Sequence, residues 1–299
     1  MRAQPISPRA FAMLLLLACM FAGNHVAARI ALDHGVDVTT AVAVRSLGTA
    51  AVVAMIVALY RVPLALNPRQ RRFMPLISLL VGIQSLCLYA SVARIPVGLA
   101  LLAFNTYPLW TAAAVWAIYR QRPERAVLIA MPVILFGLAL ALDVSGTASG
   151  LGAQAHWGRM GAGVGFALVA GATFGLVLAL TQHEVAELDG RLRSAITMAI
   201  VGVLALLGSV TQGGLHWPDA AAGWWGLAAL TLLYGTAFTI MFTLLPKLGV
   251  VGSSPILNVE PVAALAMAWL FLGQSVSVIQ VGGALLVVGA VMALGLRRR

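Results

Sequence analysis

Asn105-Thr106-Tyr107-Pro108-Leu109-Trp110 returns 153 residues later as Asn258-Val259-Glu260-Pro261-Val262-Ala263. Asn and Pro keep their places, while Tyr107 gives way to Glu260. The interval extends outward, pairing Trp116 with Trp269, Gln121 with Gln274 and Arg94 with Lys247. Asn and Pro are rare inside apolar stretches, and here both copies lie within long ones. The second half therefore reads as a duplicate of the first, with the repeats at residues 1–149 and 150–299. Five apolar spans fill each copy, and an odd number of crossings turns the second copy upside down in a bilayer. Inverted repeats with Pro-interrupted helices near mid-membrane are the pattern of a secondary transporter.

Composition supports a lipid solvent. The chain is 61% hydrophobic and 9% charged. A water-soluble protein of that make-up would expose one large apolar surface. Runs of roughly 20 apolar residues suit helices across a hydrocarbon layer of about 30 Å, whereas a β-barrel would show short alternating segments. The fold class expected is all-α integral membrane with ten transmembrane helices. These are placed at 10–32, 39–60, 73–93, 98–119, 126–143, 160–181, 194–210, 224–245, 253–272 and 276–296. The longest connections fall at 144–159 and 211–223, each with a Trp suited to a headgroup layer (Trp157 and Trp217).

Most basic residues fall between spans. One set of loops holds Arg61, Arg69, Arg71, Arg72, Arg120, Arg122, Arg125, Arg191, Arg193 and Lys247, with Arg2, Arg9 and Arg297 to Arg299 at the termini. The opposite set holds only Arg94 and Arg159. This bias places both termini in the cytoplasm, and a bacterial inner membrane is the expected location. The net charge of +10 is absorbed by those loops, and no nucleic-acid module is recognisable. Cys19 and Cys87 lie within spans and give no disulfide framework. Phe11 to Val26 resembles a signal peptide, but its length and the repeat both favour a retained first span. Gly161 with Gly165, Gly171 with Gly175, and Gly282, Gly283, Gly289 and Gly295 are expected to pack helices closely.

Several residues are candidates for a solute site. Pro108 and Pro261 each remove an N–H donor and strand the carbonyl four residues earlier, at Phe104 and Leu257. These are the expected helix breaks or gates. Asn105 and Asn258, one turn before them, either glue helices together or line a cavity. Glu260 is a carboxylate deep within a span, suited to carrying a proton or receiving an ammonium group. Arg45, about two turns inside the second span, either binds an anionic group or pairs structurally; Arg29 is expected to snorkel to a span end. Asn24 and His25 interrupt the first span. Gln84 and Tyr89 lie in the third, Thr173 in the sixth and Tyr234 in the eighth. Tyr107, Trp110 and Tyr234 are deep enough to stack against an apolar cargo. Polar groups thus gather on spans one, three, four, six, eight and nine, as a lined cavity within an apolar ring would need.

Other chemistries find no support. No Walker phosphate loop is present, and His183-Glu184 lacks the second His of a zinc-protease helix. No cofactor or metal is expected, nor an enzyme activity.

Taken in order, Phe21-Ala22-Gly23-Asn24, Arg45, Tyr107-Pro108-Leu109 and Asn258-Val259-Glu260-Pro261 through Trp269-Leu270-Phe271-Leu272-Gly273 resemble the drug/metabolite transporter superfamily, in its ten-helix EamA-type exporter branch. Two departures stand out: Arg120-Gln121 and Gly273-Gln274 replace the Gly-Glu frequent there, and Ala22 stands where Trp is frequent. The resemblance implies export of small metabolites by alternating access, with hairpins three–four and eight–nine opening about a cavity formed by the six spans just named. Aromatic amino-acid exporters of that branch are the nearest analogy. The cargo expected is a small neutral or zwitterionic metabolite, foremost an aromatic or apolar amino acid, carried by a monomer or weak homo-oligomer with proton coupling as an option. Export of cationic or hydrophobic drugs is the alternative.

Overall fold

A turn in water and a turn in lipid obey different rules, and the helix boundaries show where one gives way to the other. The computed structural model describes residues 8–122, 125–143, 153–243, 259–274 and 277–297. Asn258, Ser254 and Lys247 lie outside the described residues. Within them the chain forms eleven helices and no strand: α1 (Pro8–Asp33), α2 (Val38–Leu59), α3 (Pro68–Val92), α4 (Val97–Phe104), α5 (Tyr107–Tyr119), α6 (Arg125–Ala141), α7 (Ala153–Glu184), α8 (Gly190–Val210), α9 (Ala221–Thr243), α10 (Glu260–Leu272) and α11 (Val278–Arg297). α4 and α5 share one apolar span, Val97–Tyr119, so the helices make ten spans. Seven are long and apolar enough to cross a membrane, and three shorter apolar stretches lie in α6, α10 and α11.

Three helices begin earlier than their apolar runs. α3 starts at Pro68 rather than Phe73, because Asn67 and Gln70 close a reciprocal cap and Pro68 suits the first turn. α8 starts at Gly190 rather than Ser194, with the Asp189 carboxylate accepting from the Arg191 N–H. α7 starts at Ala153, inside the connection expected from 144 to 159. In each case polar turns outside the apolar run remain helical.

Helix pairing follows the duplication. α1 packs on α9 as α3 packs on α7; α3 on α8 as α2 on α9; α4 and α5 on α7 as α10 on α1. α2 with α8, α4 with α10 and α6 with α11 join equivalent helices of the two halves. Each contact therefore maps onto a partner when the halves are exchanged. α6 and α11 form an outer pair, with Leu128, Ile129, Leu135, Phe136, Ile279 and Leu285 exposed to the solvent that lipid would provide. Trp116 and Trp269, the repeated pair, are also exposed. Cys19 and Cys87 are free thiols.

Glycine seams bring the helices together, although only some are the expected ones. A Cβ built at Gly171 would lie 2.9 Å from the Phe104 carbonyl oxygen, and one at Gly175 would lie 2.7 Å from the Thr111 nitrogen. α7 is thereby held against the break between α4 and α5. Gly161 meets only its own helix's Trp157, and Gly165 meets open space; Gly163 between them packs on Ile95. In α11 the seam is Gly283 against Gly137 and Ala141 of α6, whereas Gly282 and Gly289 face open space.

Candidate functional site

The first feature to explain is the repeated helix start at Pro. α4 ends at Phe104 and α5 begins at Tyr107, with Pro108 in its first turn. α10 begins at Glu260 with Pro261 in the same place. Pro is tolerated there because its missing N–H belongs to a turn that has no acceptor anyway. The interruption in span four is thus a restart of the helix, with Pro108 in the first turn of α5. Asn105 and Thr106 fill the gap: the Asn105 amide donates to the Leu101 carbonyl at 2.8 Å, and the Thr106 hydroxyl to Ala103 at 2.8 Å. α5 and α10 both end in a left-handed residue, Arg120 (φ 58°) and Gly273 (φ 63°). Just beyond, the Gln274 side-chain oxygen accepts the Val97 N–H at 3.1 Å. One repeat thereby caps the broken helix of the other.

Against these breaks the bundle gathers polar side chains. Glu260, at the start of α10, lies 3.4 Å from the His25 Nε2 of α1, and its side chain is 21% exposed. The His25 ring meets the Tyr89 ring edge-on at 5.8 Å. The Tyr89 hydroxyl donates to the Asn24 Oδ1 at 3.0 Å and accepts from the Arg45 Nη1 at 3.3 Å. The Arg45 Nη2 donates to the Ser85 hydroxyl at 3.1 Å, and Ser85 in turn to the Gln84 Oε1 at 3.4 Å. The guanidinium lies 3.9 Å over the Tyr234 ring and 4.9 Å from the Tyr89 ring, in cation–π geometry. Asn24, His25, Arg45, Ser85 and Tyr89 are buried.

Aromatic rings continue from this cluster in two directions. Phe21, Tyr234 and Phe238 form one group, and Phe104, Tyr107 and Phe174 another. Tyr107 and Tyr234 both lie within electrostatic reach of Glu260.

Of the residues singled out from sequence, Asn24, His25, Gln84, Tyr89, Tyr234 and Glu260 come together, and Tyr107 stands at their edge. Asn105 is buried and turned to its own helix. Thr173 bonds back to Val169 and Ala170. The Trp110 indole donates to Thr106 at 3.3 Å on the seam with α7, and its ring is largely exposed. Pro108 and Pro261 mark the helix starts described above. Arg29 bonds Asp33 at 2.9 Å and the Val92 carbonyl at 3.0 Å, tying α1 to the end of α3.

Span two was left out of the cavity expected from sequence, yet it supplies Arg45. Its signal was a cation two turns inside an apolar run. A cavity of about 700 Å³ opens at the end where α1 meets α2, with Asp33, Asp37, Arg94 and Gln212 on its walls. None of the cluster's side chains lines that cavity; Leu86, Cys87 and Ala90 of α3 do. Among the described residues no three His, Cys, Asp or Glu side chains gather as a metal site would require.

Comparison with known proteins agrees with this architecture. Among fifteen solved chains that match is one described only as "Crystal structure of protein", with 15% identity and a TM-score of 0.60 over 96% of this chain and 98% of that one. That likeness concerns the fold. No match was found among curated protein sequences. The sequence profile of the EamA-like transporter family matches twice, at residues 9–142 and 161–296, once for each half. The chain therefore belongs to the EamA-like transporter family, whose members are multi-pass membrane transporters of small substrates.

Proposed function

We propose that this transporter exports small neutral or zwitterionic metabolites, foremost aromatic or apolar amino acids, by alternating access. The observation that carries this reading is the setting of Glu260. The carboxylate sits beside His25, whose ring meets Tyr89 edge-on, and lies within electrostatic reach of Tyr107 and Tyr234. Near it, neutral amides and hydroxyls outnumber charges. A multiply charged cargo would lack partners there, whereas an ammonium group would find the acid and an apolar side chain would find the rings.

In this reading the helix breaks at Pro108 and Pro261 let hairpins three–four and eight–nine swing about the cluster. Asn258 joins Asn24 in binding polar groups of the cargo. The repeats divide near residue 150, the basic loops face the cytoplasm of a bacterial cell, and a monomer or weak oligomer suffices. The Glu260–His25 pair supports proton exchange as the coupling step.

Purified protein in liposomes should pass labelled Phe or Met. A broad amino-acid panel of which no member moves would defeat the cargo assignment. Glu260 beside aromatic rings also favours a second reading, export of cationic drugs. Growth resistance to a cation panel that disappears with Glu260→Gln would select it.

A further inference from the structure

Arg45 carries a charge that no described acidic residue balances. Its residue is 2% exposed, and a guanidinium stays protonated at any physiological pH. A buried charge is costly unless an opposite charge meets it. Its hydrogen-bond partners are two neutral hydroxyls, those of Tyr89 and Ser85. The chain has nine acidic residues, and none of the eight described pairs with Arg45; the ion pairs of this region are His25–Glu260 and Arg29–Asp33.

Unused donors surround the same point. The Arg45 Nε and the Asn24 Nδ2 are both buried and have no hydrogen-bond partner among the described residues. The two side chains meet at the Tyr89 hydroxyl, which bonds to each. Ser46, next to Arg45 on α2, has a buried hydroxyl that is likewise unpartnered. A cluster of N–H groups with spare capacity around one uncompensated cation requires a ligand that only accepts hydrogen bonds and carries one negative charge.

The geometry points to Arg45 and Asn24 as the receptor for a carboxylate on the transported solute. This rests on the amino-acid reading above and deepens it. Arg45 takes the carboxylate on the α2–α3 side of the cluster, Glu260 takes the ammonium on the α1–α10 side, and the Tyr89 and Tyr234 rings lie between. A single cation facing Glu260 across these rings matches a monoanionic group, whereas a second negative charge would find no partner and be repelled by Glu260. The site therefore selects against amines without a carboxylate, including the cationic drugs of the second reading.

Calorimetric titration of the full chain in lipid nanodiscs tests this with L-phenylalanine, 3-phenylpropionate, L-phenylalaninamide and phenylethylamine. The two carboxylates should bind the wild type roughly 10- to 100-fold tighter than the amines that lack one, the worth of a charge-assisted hydrogen bond. Arg45→Gln should erase that preference, and Arg45→Lys should restore part of it. Equal binding of acid and amide by the wild type overturns the assignment even if every Arg45 variant misfolds. So does a folded Arg45→Gln protein that still prefers carboxylates, the absence of any carboxylate binding, or inorganic phosphate outcompeting 3-phenylpropionate. Carboxylate binding through Arg45 with no amino acid carried in liposomes would keep the site and defeat the amino-acid reading. Transport of phenylalanine and its amide at equal rates would do the reverse.

Discussion

Residue by residue, the polar groups of this bundle divide into those turned to their own helix and those turned to one another. Asn105, Thr111 and Thr173 all donate to carbonyls three or four residues back, which satisfies them within their own helices. Asn24, His25, Arg45, Tyr89 and Glu260 reach across helices instead. Sequence displayed both classes equally, because a polar residue in an apolar run looks the same whichever way it turns. Glu260 stood out since an acid deep in a span needs a reason. Its neighbour is the His25 imidazole, with Nε2 at 3.4 Å. If that pair couples transport to protons, Glu260→Gln should leave flux that no longer responds to an imposed pH gradient across the liposome membrane. Gradient-sensitive flux at the wild-type level in this variant would remove Glu260 from the role.

At the level of the helix, ends and seams set the geometry. The break after Phe104 was legible, since Asn and Pro three residues apart in an apolar run have few other uses. The early starts at Pro68, Ala153 and Gly190 were not, because hydropathy marks where lipid ends while a cap marks where the helix does. Which glycines make seams was legible only in part: spacing pointed to Gly161, Gly165, Gly171 and Gly175, but rotation of α7 about its axis turns Gly171 and Gly175 inward together with Gly163, and leaves Gly161 and Gly165 outside the seam. Gly171→Leu should thus destabilise the protein by about 1–3 kcal/mol, the usual cost of overpacking, while Gly165→Leu should be close to neutral. Thermal unfolding in one detergent compares them, and equal midpoints would contradict the seam.

The α2 cap makes a pH prediction of the same kind. Burial pushes the Asp37 carboxyl up, but hydrogen bonds from Thr39 and the Thr40 N–H, with His216 nearby, outweigh it and hold the group below its ordinary value. A carboxyl depressed in the folded state contributes its full stability above the unfolded value of about 3.9 and loses it as pH falls through the lower folded value. Asp37→Ala should cost about 1 kcal/mol near neutrality, and the difference from wild type should shrink on acidification below about pH 4. A gap in unfolding midpoint that stays constant down to pH 3 would refute this linkage.

Over the whole molecule the two halves share one plan, but their locks differ. At the end holding the α2–α3 and α7–α8 turns, the Glu184 carboxylate of α7 accepts from the Arg69 Nε and from the Tyr119 hydroxyl, each at 2.6 Å, while Tyr119 stacks on His183 at 3.9 Å. Both α3 and α5, the third and fourth spans, are thus fastened to the sixth. In the duplicate the equivalent positions are Ala222, Leu272 and Ala31, which cannot form such a bridge. The opposite end is joined by other contacts, such as the Asp219 N–H to the His34 carbonyl at 3.1 Å and the Asp37–His216 pair at 3.6 Å.

A carrier that alternates between two openings is biased by whichever side is fastened more firmly, so this lock should hold its end shut. Arg69 is well exposed, which keeps the pair's worth small, about a few-fold in population. Beneath the lock Val177 of α7 packs with Met74 and Ile77 of α3. A Val177→Cys reporter, in protein with Cys19 and Cys87 replaced by Ala, should react with a membrane-impermeant maleimide a few-fold faster once Glu184→Gln is added. The acceleration should appear only from the face bearing the basic loops. Faster labelling from the opposite face, or none from either, would mean that the bridge holds two helices together without governing access.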